Sequence, residues 1–228
     1  MSAREKRTPD RRPLSGLMAH SESRDAMQSR VGFRLARTTT ALTFPPMLAI
    51  PAFLALDLWT PHSDSLGWLL TVSLGFGAVL PIALVVLSTK GRAQWTGPDD
   101  HRGRLELIAS AVLVYAIGVV ALLAIDAPLL VTLLMFCYAS NTSVMFGINL
   151  HWKASIHTMG VAGPTAALVF AFGLPGATLS LLLPVVGWSR VRLKEHSMSQ
   201  VIVGAFLGYL LTASQFLVGL HLGYAVSP

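Results

Sequence analysis

The chain has 228 residues, of which 53% are apolar and 12% charged, with a mean hydropathy of +0.61. A soluble domain carries about 25% charged residues, so this composition excludes a disordered chain, a nucleic-acid-binding module and almost any soluble enzyme. The formal net charge of +6, from 17 Lys and Arg against 11 Asp and Glu, then points to loops that face anionic lipid or bound phosphate.

Residues 1–37 contain nine Lys or Arg and four acids, with no apolar periodicity. This predicts a disordered basic tail with a short interfacial stretch around Val31–Leu35. The tail is too long for a secretory signal and has no small-residue cleavage site. Residues 38–228 form one domain of seven apolar segments, near 38–58, 66–88, 105–125, 128–149, 158–173, 175–187 and 199–224. Five reach the roughly 20 residues a spanning helix needs. Pro45-Pro46 and Pro51 predict a kink or break in the first segment. The two segments between 158 and 187 are short and meet at the breaker Phe172-Gly173-Leu174-Pro175-Gly176. They are either two short spans packed inside protein or a re-entrant hairpin. The predicted fold is all-α, a polytopic transmembrane bundle of six or seven spans.

All Lys and Arg outside the tail fall in three loops. These are Lys90, Arg92, Arg102 and Arg104; Lys153; and Arg190, Arg192 and Lys194. With seven spans, the tail and these loops share one side of the membrane, and the positive-inside rule makes it the cytoplasmic side. The expected location is the cell (inner) membrane. Trp59, Trp68, Trp95, Trp152 and Trp188 lie near predicted borders, as an aromatic belt does. Asp57 and Asp126 end apolar runs on the opposite side and are expected to be solvated. Cys137, the single cysteine, rules out an intramolecular disulfide and reads as a small buried hydrophobe. Gly204-x-x-x-Gly208 and Gly219-x-x-x-Gly223 permit close helix approach, either within the chain or across a homodimer seam.

Four of the seven histidines, His101, His151, His157 and His196, fall in the basic loops. Lys153-Ala154-Ser155-Ile156-His157 and Ser189-Arg190-Val191-Arg192-Leu193-Lys194-Glu195-His196 each place a histidine beside cations and a hydroxyl. Phosphoryl transfer needs this chemistry: cations on the equatorial oxygens, a nucleophile in line, and an acid at the leaving oxygen. A neutral imidazole can attack phosphorus and a protonated one can be the acid. His101 and His151 fit no such position and read as structural or interfacial.

The second stretch fits S-R-x5-H and resembles the third motif of the type 2 phosphatidic acid phosphatase superfamily of integral-membrane lipid phosphatases. Ser155-Ile156-His157 is similar to that family's P-S-G-H motif, and Lys153–His157 matches better the K-x-S-x-H of one branch. The first motif, K-x6-R-P, is poorly kept, since Lys90 is followed six residues on by Gly97-Pro98. Asp100-His101-Arg102-Gly103-Arg104 resembles the Asp and paired Arg of the same branch. The resemblance covers about residues 85–210.

The resemblance implies that His196 is the nucleophile and forms a phosphohistidine, and that His157 protonates the leaving oxygen. Arg190, Ser155 and one or more of Lys90, Arg102 and Arg104 would hold the phosphate oxygens, with Lys153 a further contact. It implies no metal and no cofactor. The family pattern has Asp four residues after the nucleophile, where this chain has Gln200. On a helix Gln200 shares a face with His196, and its amide oxygen can accept the Nδ1 proton. Glu195 points elsewhere on such a helix. The expected substrate is an amphiphilic lipid phosphate, of isoprenoid or phosphatidate type, with its hydrocarbon chain left in the bilayer. The alternatives are a lipid phosphotransferase and a non-catalytic membrane protein that binds a lipid head group.

Overall fold

The computed structural model describes residues 30–60, 66–91 and 101–226, the side chains of 89–91 and 224–226 excepted. Among the described residues every regular element is helical. Helix α1 (Arg30–Leu42) and α2 (Pro45–Trp59) meet at a 48° bend. The break falls where Pro45 and Pro46 occupy the first helical positions, where a missing N–H leaves no bond unmade. Phe44 before them is extended, at φ −59° and ψ 131°, as the residue preceding proline must be. Pro51, by contrast, stays inside an unbroken α2. The helix also starts at Arg30, within the stretch expected to be tail, and Ala36 is fully buried there. Residues 1–29 of that tail lie outside the described residues.

Helix α3 (Leu66–Leu74) continues through a π-helical turn, Gly75–Val79, into α4 (Leu80–Gly91). The turn is built around close contacts. A Cβ on Gly77 would sit 2.4 Å from the Phe53 ring, and one on Gly118 would sit 2.6 Å from the Cβ of Phe76. Helices α5 (His101–Ala124) and α6 (Leu129–Asn149) are joined by a tight turn in which Asp126 is left-handed at φ 50°. Helix α7 (Ile156–Phe172) ends at Gly173, whose φ of 66° and ψ of −138° suit only glycine. A 3₁₀ run (Leu174–Leu181), α8 (Leu182–Arg192) and α9 (Met198–Val226) complete the chain.

Five helical stretches are long and apolar enough to cross a membrane, and six if the α1–α2 pair counts as one span. Leu174–Arg192 is one of them, so the second member of the expected short pair is longer than its sequence suggested. Ile156–Phe172 remains short. It lies at the centre, with Val161 through Ala167 all buried. Large apolar side chains point outward instead: Leu113, Val120 and Leu123 on α5, and Phe206, Leu210 and Leu217 on α9.

Glycines permit a close approach of α9 to α7. A Cβ on Gly204 would lie 2.3 Å from the Ser155 carbonyl oxygen, and one on Gly208 would lie 2.8 Å from that of Met159. Gly219 and Gly223 receive Leu133 and Leu129 of α6. Both glycine pairs are therefore used within the chain. Helices α6 and α9 are also joined by polar contacts. Asn141 Nδ2 donates to Thr212 Oγ1 (2.8 Å), Gln215 Nε2 to Asn141 Oδ1 (3.0 Å), and Ser140 Oγ to Gln215 Oε1 (2.9 Å). Such bonds hold helices together where apolar burial cannot.

Asp57 differs from its sequence expectation. It is fully buried, and Ser73 Oγ donates to its Oδ2 at 2.6 Å. The last turn of α2 packs against α3, so position 57 faces inward. Asp126 is exposed, as expected.

Gly208→Val should lower the thermal midpoint of the detergent-solubilised protein, at an overpacking cost of about 1–3 kcal/mol. Gly147→Ala, where nothing lies within 4 Å, should not lower it, since alanine is favoured over glycine inside a helix.

Candidate active site

The crossing of α7 and α9 brings the two histidine stretches together. The Ser155 N–H donates to the Gln200 carbonyl (3.2 Å), and Thr158 Oγ1 donates to that of Val201 (2.9 Å). Helix α8 ends beside them. The Leu193 N–H closes onto Ser189 O at 3.0 Å, and Lys194 turns left-handed at φ 56°. The N–H groups of Glu195 and His196 then both donate to the Arg190 carbonyl, at 3.1 and 3.3 Å. The five residues between Arg190 and His196 thus form a compact hook, and the two side chains face one cavity.

That cavity is about 660 Å³ in volume. His157 and His196 both line it, as do Arg104, Lys153, Arg190 and Glu195. Arg37 of α1 also reaches it, so its described lining has four cations and one carboxylate. Arg190 is nearly buried and forms an ion pair with Glu195, yet its Nε has no hydrogen-bond partner. Arg104 Nε is likewise buried without one. Unmet guanidinium donors in a cationic cavity are what an oxyanion would satisfy. Glu195, read from sequence as pointing away from His196, instead neutralises Arg190.

His196 Nδ1 lies 3.2 Å from Gln200 Oε1. The same oxygen accepts the Ser197 N–H at 3.0 Å, which fixes the amide with its oxygen toward the ring. The i,i+4 contact expected from sequence is present. Burial, followed by the positive charges of Arg190 and Lys153, pulls the His196 pKa down to about 4. The hydrogen bonds with Gln200 and the Lys153 backbone oppose that shift without cancelling it. The ring is therefore neutral at pH 7, with the lone pair a nucleophile needs.

The other expected phosphate contacts are not all alike. Arg102 is exposed and pairs with Glu106 one turn along α5 (3.1 Å), so it does not join the cavity. In the Arg102-Gly103-Arg104 stretch, a helix turns residues two apart to different faces, and Arg104 is the one that faces in. Ser155 is fully buried and its hydroxyl lacks a partner, but it sits behind the cavity wall, beneath Gly204. The Lys90 side chain lies outside the described residues. His101 Nε2 contacts the Asn149 carbonyl at 3.1 Å, tying the start of α5 to the end of α6. His151 is exposed.

Sequence reasoning missed Arg37, Glu195 as the partner of Arg190, and Phe44, whose ring centroid is 6.0 Å from that of His157. Only the charge of Arg37 could have signalled it, and the tail hid that charge among eight others. Comparison with protein-family models, curated proteins and solved structures gives no match.

Because the folded ring protonates near pH 4 and the unfolded one near 6.5, it should stay neutral as the pH falls from 7 to 5. NMR of ¹³C-labelled histidine should show one imidazole signal titrating near pH 4 that is absent from His196→Asn. A midpoint near 6.5 for that signal would contradict the burial of the ring.

Proposed function

We propose that the chain is an integral-membrane phosphatase that hydrolyses a phosphate or diphosphate ester of a lipid through a phosphohistidine on His196. One observation carries this reading. Two histidines from separate parts of the sequence converge with Arg104, Lys153 and Arg190 on one cavity, and Gln200 backs one of the rings. The pattern resembles the type 2 phosphatidic acid phosphatases in the order and spacing of its motifs.

Membrane insertion is supported by the long apolar helices and by the bulky apolar side chains they turn outward. In that setting α7 is a short crossing enclosed by the others, and the chain crosses seven times. Trp59 and Trp68 lie at one end of the bundle and Trp152 and Trp188 at the other, all well exposed. The basic loops and the cavity mouth then face the cytoplasm.

In the first step His196 Nε2 attacks phosphorus while the bond to the lipid oxygen breaks. Nδ1–H donates a hydrogen bond to Gln200 Oε1, which holds the tautomer whose lone pair is on Nε2. Arg190, displaced from Glu195, binds the phosphate oxygens with Lys153 and Arg104. His157 gives its proton to the departing lipid oxygen. The negative charge of the bound phosphate favours the imidazolium that this role needs. In the second step water attacks the phosphohistidine, His157 takes a proton from it, and inorganic phosphate leaves. An amide behind His196 stabilises its cationic form less than a carboxylate would.

Purified protein in detergent with EDTA should release phosphate from a prenyl diphosphate, a prenyl monophosphate or a phosphatidate, and His196→Ala should abolish it. Arg190→Ala should lower kcat about 10²–10³-fold, roughly 2.7–4 kcal/mol, as loss of a charge-aimed donor does elsewhere. Absence of release from every substrate would remove the hydrolase reading. In a Cys137→Ser background, Asp126→Cys and Ser197→Cys should label with a membrane-impermeant maleimide from opposite sides. Labelling from one side would refute seven crossings.

A further inference from the structure

The catalytic groups use only one end of the cavity. Between α4, α5, α6 and α7 the space continues past Leu84, Val85, Leu107, Ile108 and Ala111 to Tyr115, Cys137, Tyr138, Asn141 and Thr212. Eleven residues of α5 separate Arg104 from Tyr115, a depth of about 16 Å at 1.5 Å per residue. The volume of about 660 Å³ matches a site for a whole small molecule, roughly 300–1,000 Å³, not for a phosphate alone. Among the described residues, no charged side chain lines the space beyond Arg104.

The far end is different again. Asn141 and Thr212 bond one another there, and the buried Tyr138 hydroxyl has no hydrogen-bond partner. These polar groups form a floor. Asn141, Thr212 and Tyr138 are buried and packed there, so the cavity ends against them. The throat therefore accepts methylenes along its walls and is closed at its end.

We propose that this chamber binds the hydrocarbon chain of the substrate inside the bundle and selects single-chain lipid phosphates of limited length. The inference rests on the phosphatase reading for the position of the head group. It replaces the expectation that the chain stays in the bilayer. Ala111 on the wall and the polar floor set the usable length. Diacyl lipids are disfavoured because a second chain would add its volume to that of the first in a cavity of about 660 Å³.

The test compares butyl, dodecyl and icosyl phosphate and a diacyl phosphatidate as substrates, in wild type and Ala111→Phe. Dodecyl phosphate should exceed butyl, icosyl and diacyl substrates at least tenfold in kcat/KM. Ala111→Phe should lose at least tenfold on dodecyl phosphate while changing butyl phosphate less than twofold. A binding arm needs no turnover. Dodecylphosphonate, which cannot be hydrolysed, should bind at least tenfold more tightly than butylphosphonate by calorimetry, and Ala111→Phe should remove that difference. Equal turnover and equal binding of all chain lengths would overturn the chamber and leave the phosphatase reading standing. Chain-length-dependent binding without any turnover would support the chamber and overturn hydrolysis. Neither turnover nor binding would overturn both.

Discussion

The close crossing of α7 and α9 is the constraint on which the rest of the molecule depends. Gly204 and Gly208 let the α9 backbone approach carbonyls of Ser155 and Met159 to a distance no side chain would allow. Dispersion and short polar contacts act across that approach. The Ser155–Gln200 and Thr158–Val201 hydrogen bonds are made possible by that approach. They join the stretch carrying His157 to the stretch carrying His196. The site is thus assembled by backbone proximity, and its side chains inherit their positions from it.

The electrostatics follow from the same compaction. Arg190 is buried next to His196, and a buried cation is costly unless paired. Glu195 supplies the pairing. The hook between α8 and α9, closed on the Arg190 carbonyl, puts Glu195 within reach of the guanidinium and turns His196 toward Gln200. The cost of keeping a charge in a dry place is met by that partner.

Much of this was legible in the sequence, for identifiable reasons. The apolar runs and the Pro45-Pro46 and Gly173 breaks mark the helices, because proline and glycine act through local backbone geometry. The spacing of Gln200 from His196 reads directly on a helix. Properties set by packing direction were not legible. Asp57 ends an apolar run and looked solvated, yet the turn it occupies faces α3. Arg102 and Arg104 are indistinguishable in composition, and only the face of α5 separates them. Ser155 carries the motif hydroxyl but stands behind the wall, because α9 presses on its backbone. The start of α1 at Arg30 was hidden because its arginines read as tail.

The π-helical turn at Gly75–Val79 has a consequence for insertions and deletions in this chain. A π-turn holds one residue more than the α-helical turn it replaces, and an α-helix rotates about 100° per residue. Pro81, Leu84 and Val85 of α4, which line the cavity, owe their direction to the wide turn that absorbs that residue. Loss of a single residue between positions 75 and 79 would restore an ordinary helix and leave this wall on its present face, whereas rewinding all five residues as α-helix would carry the wall around by about 100°. The winding of a turn with no chemistry of its own therefore sets the shape of the cavity beyond it.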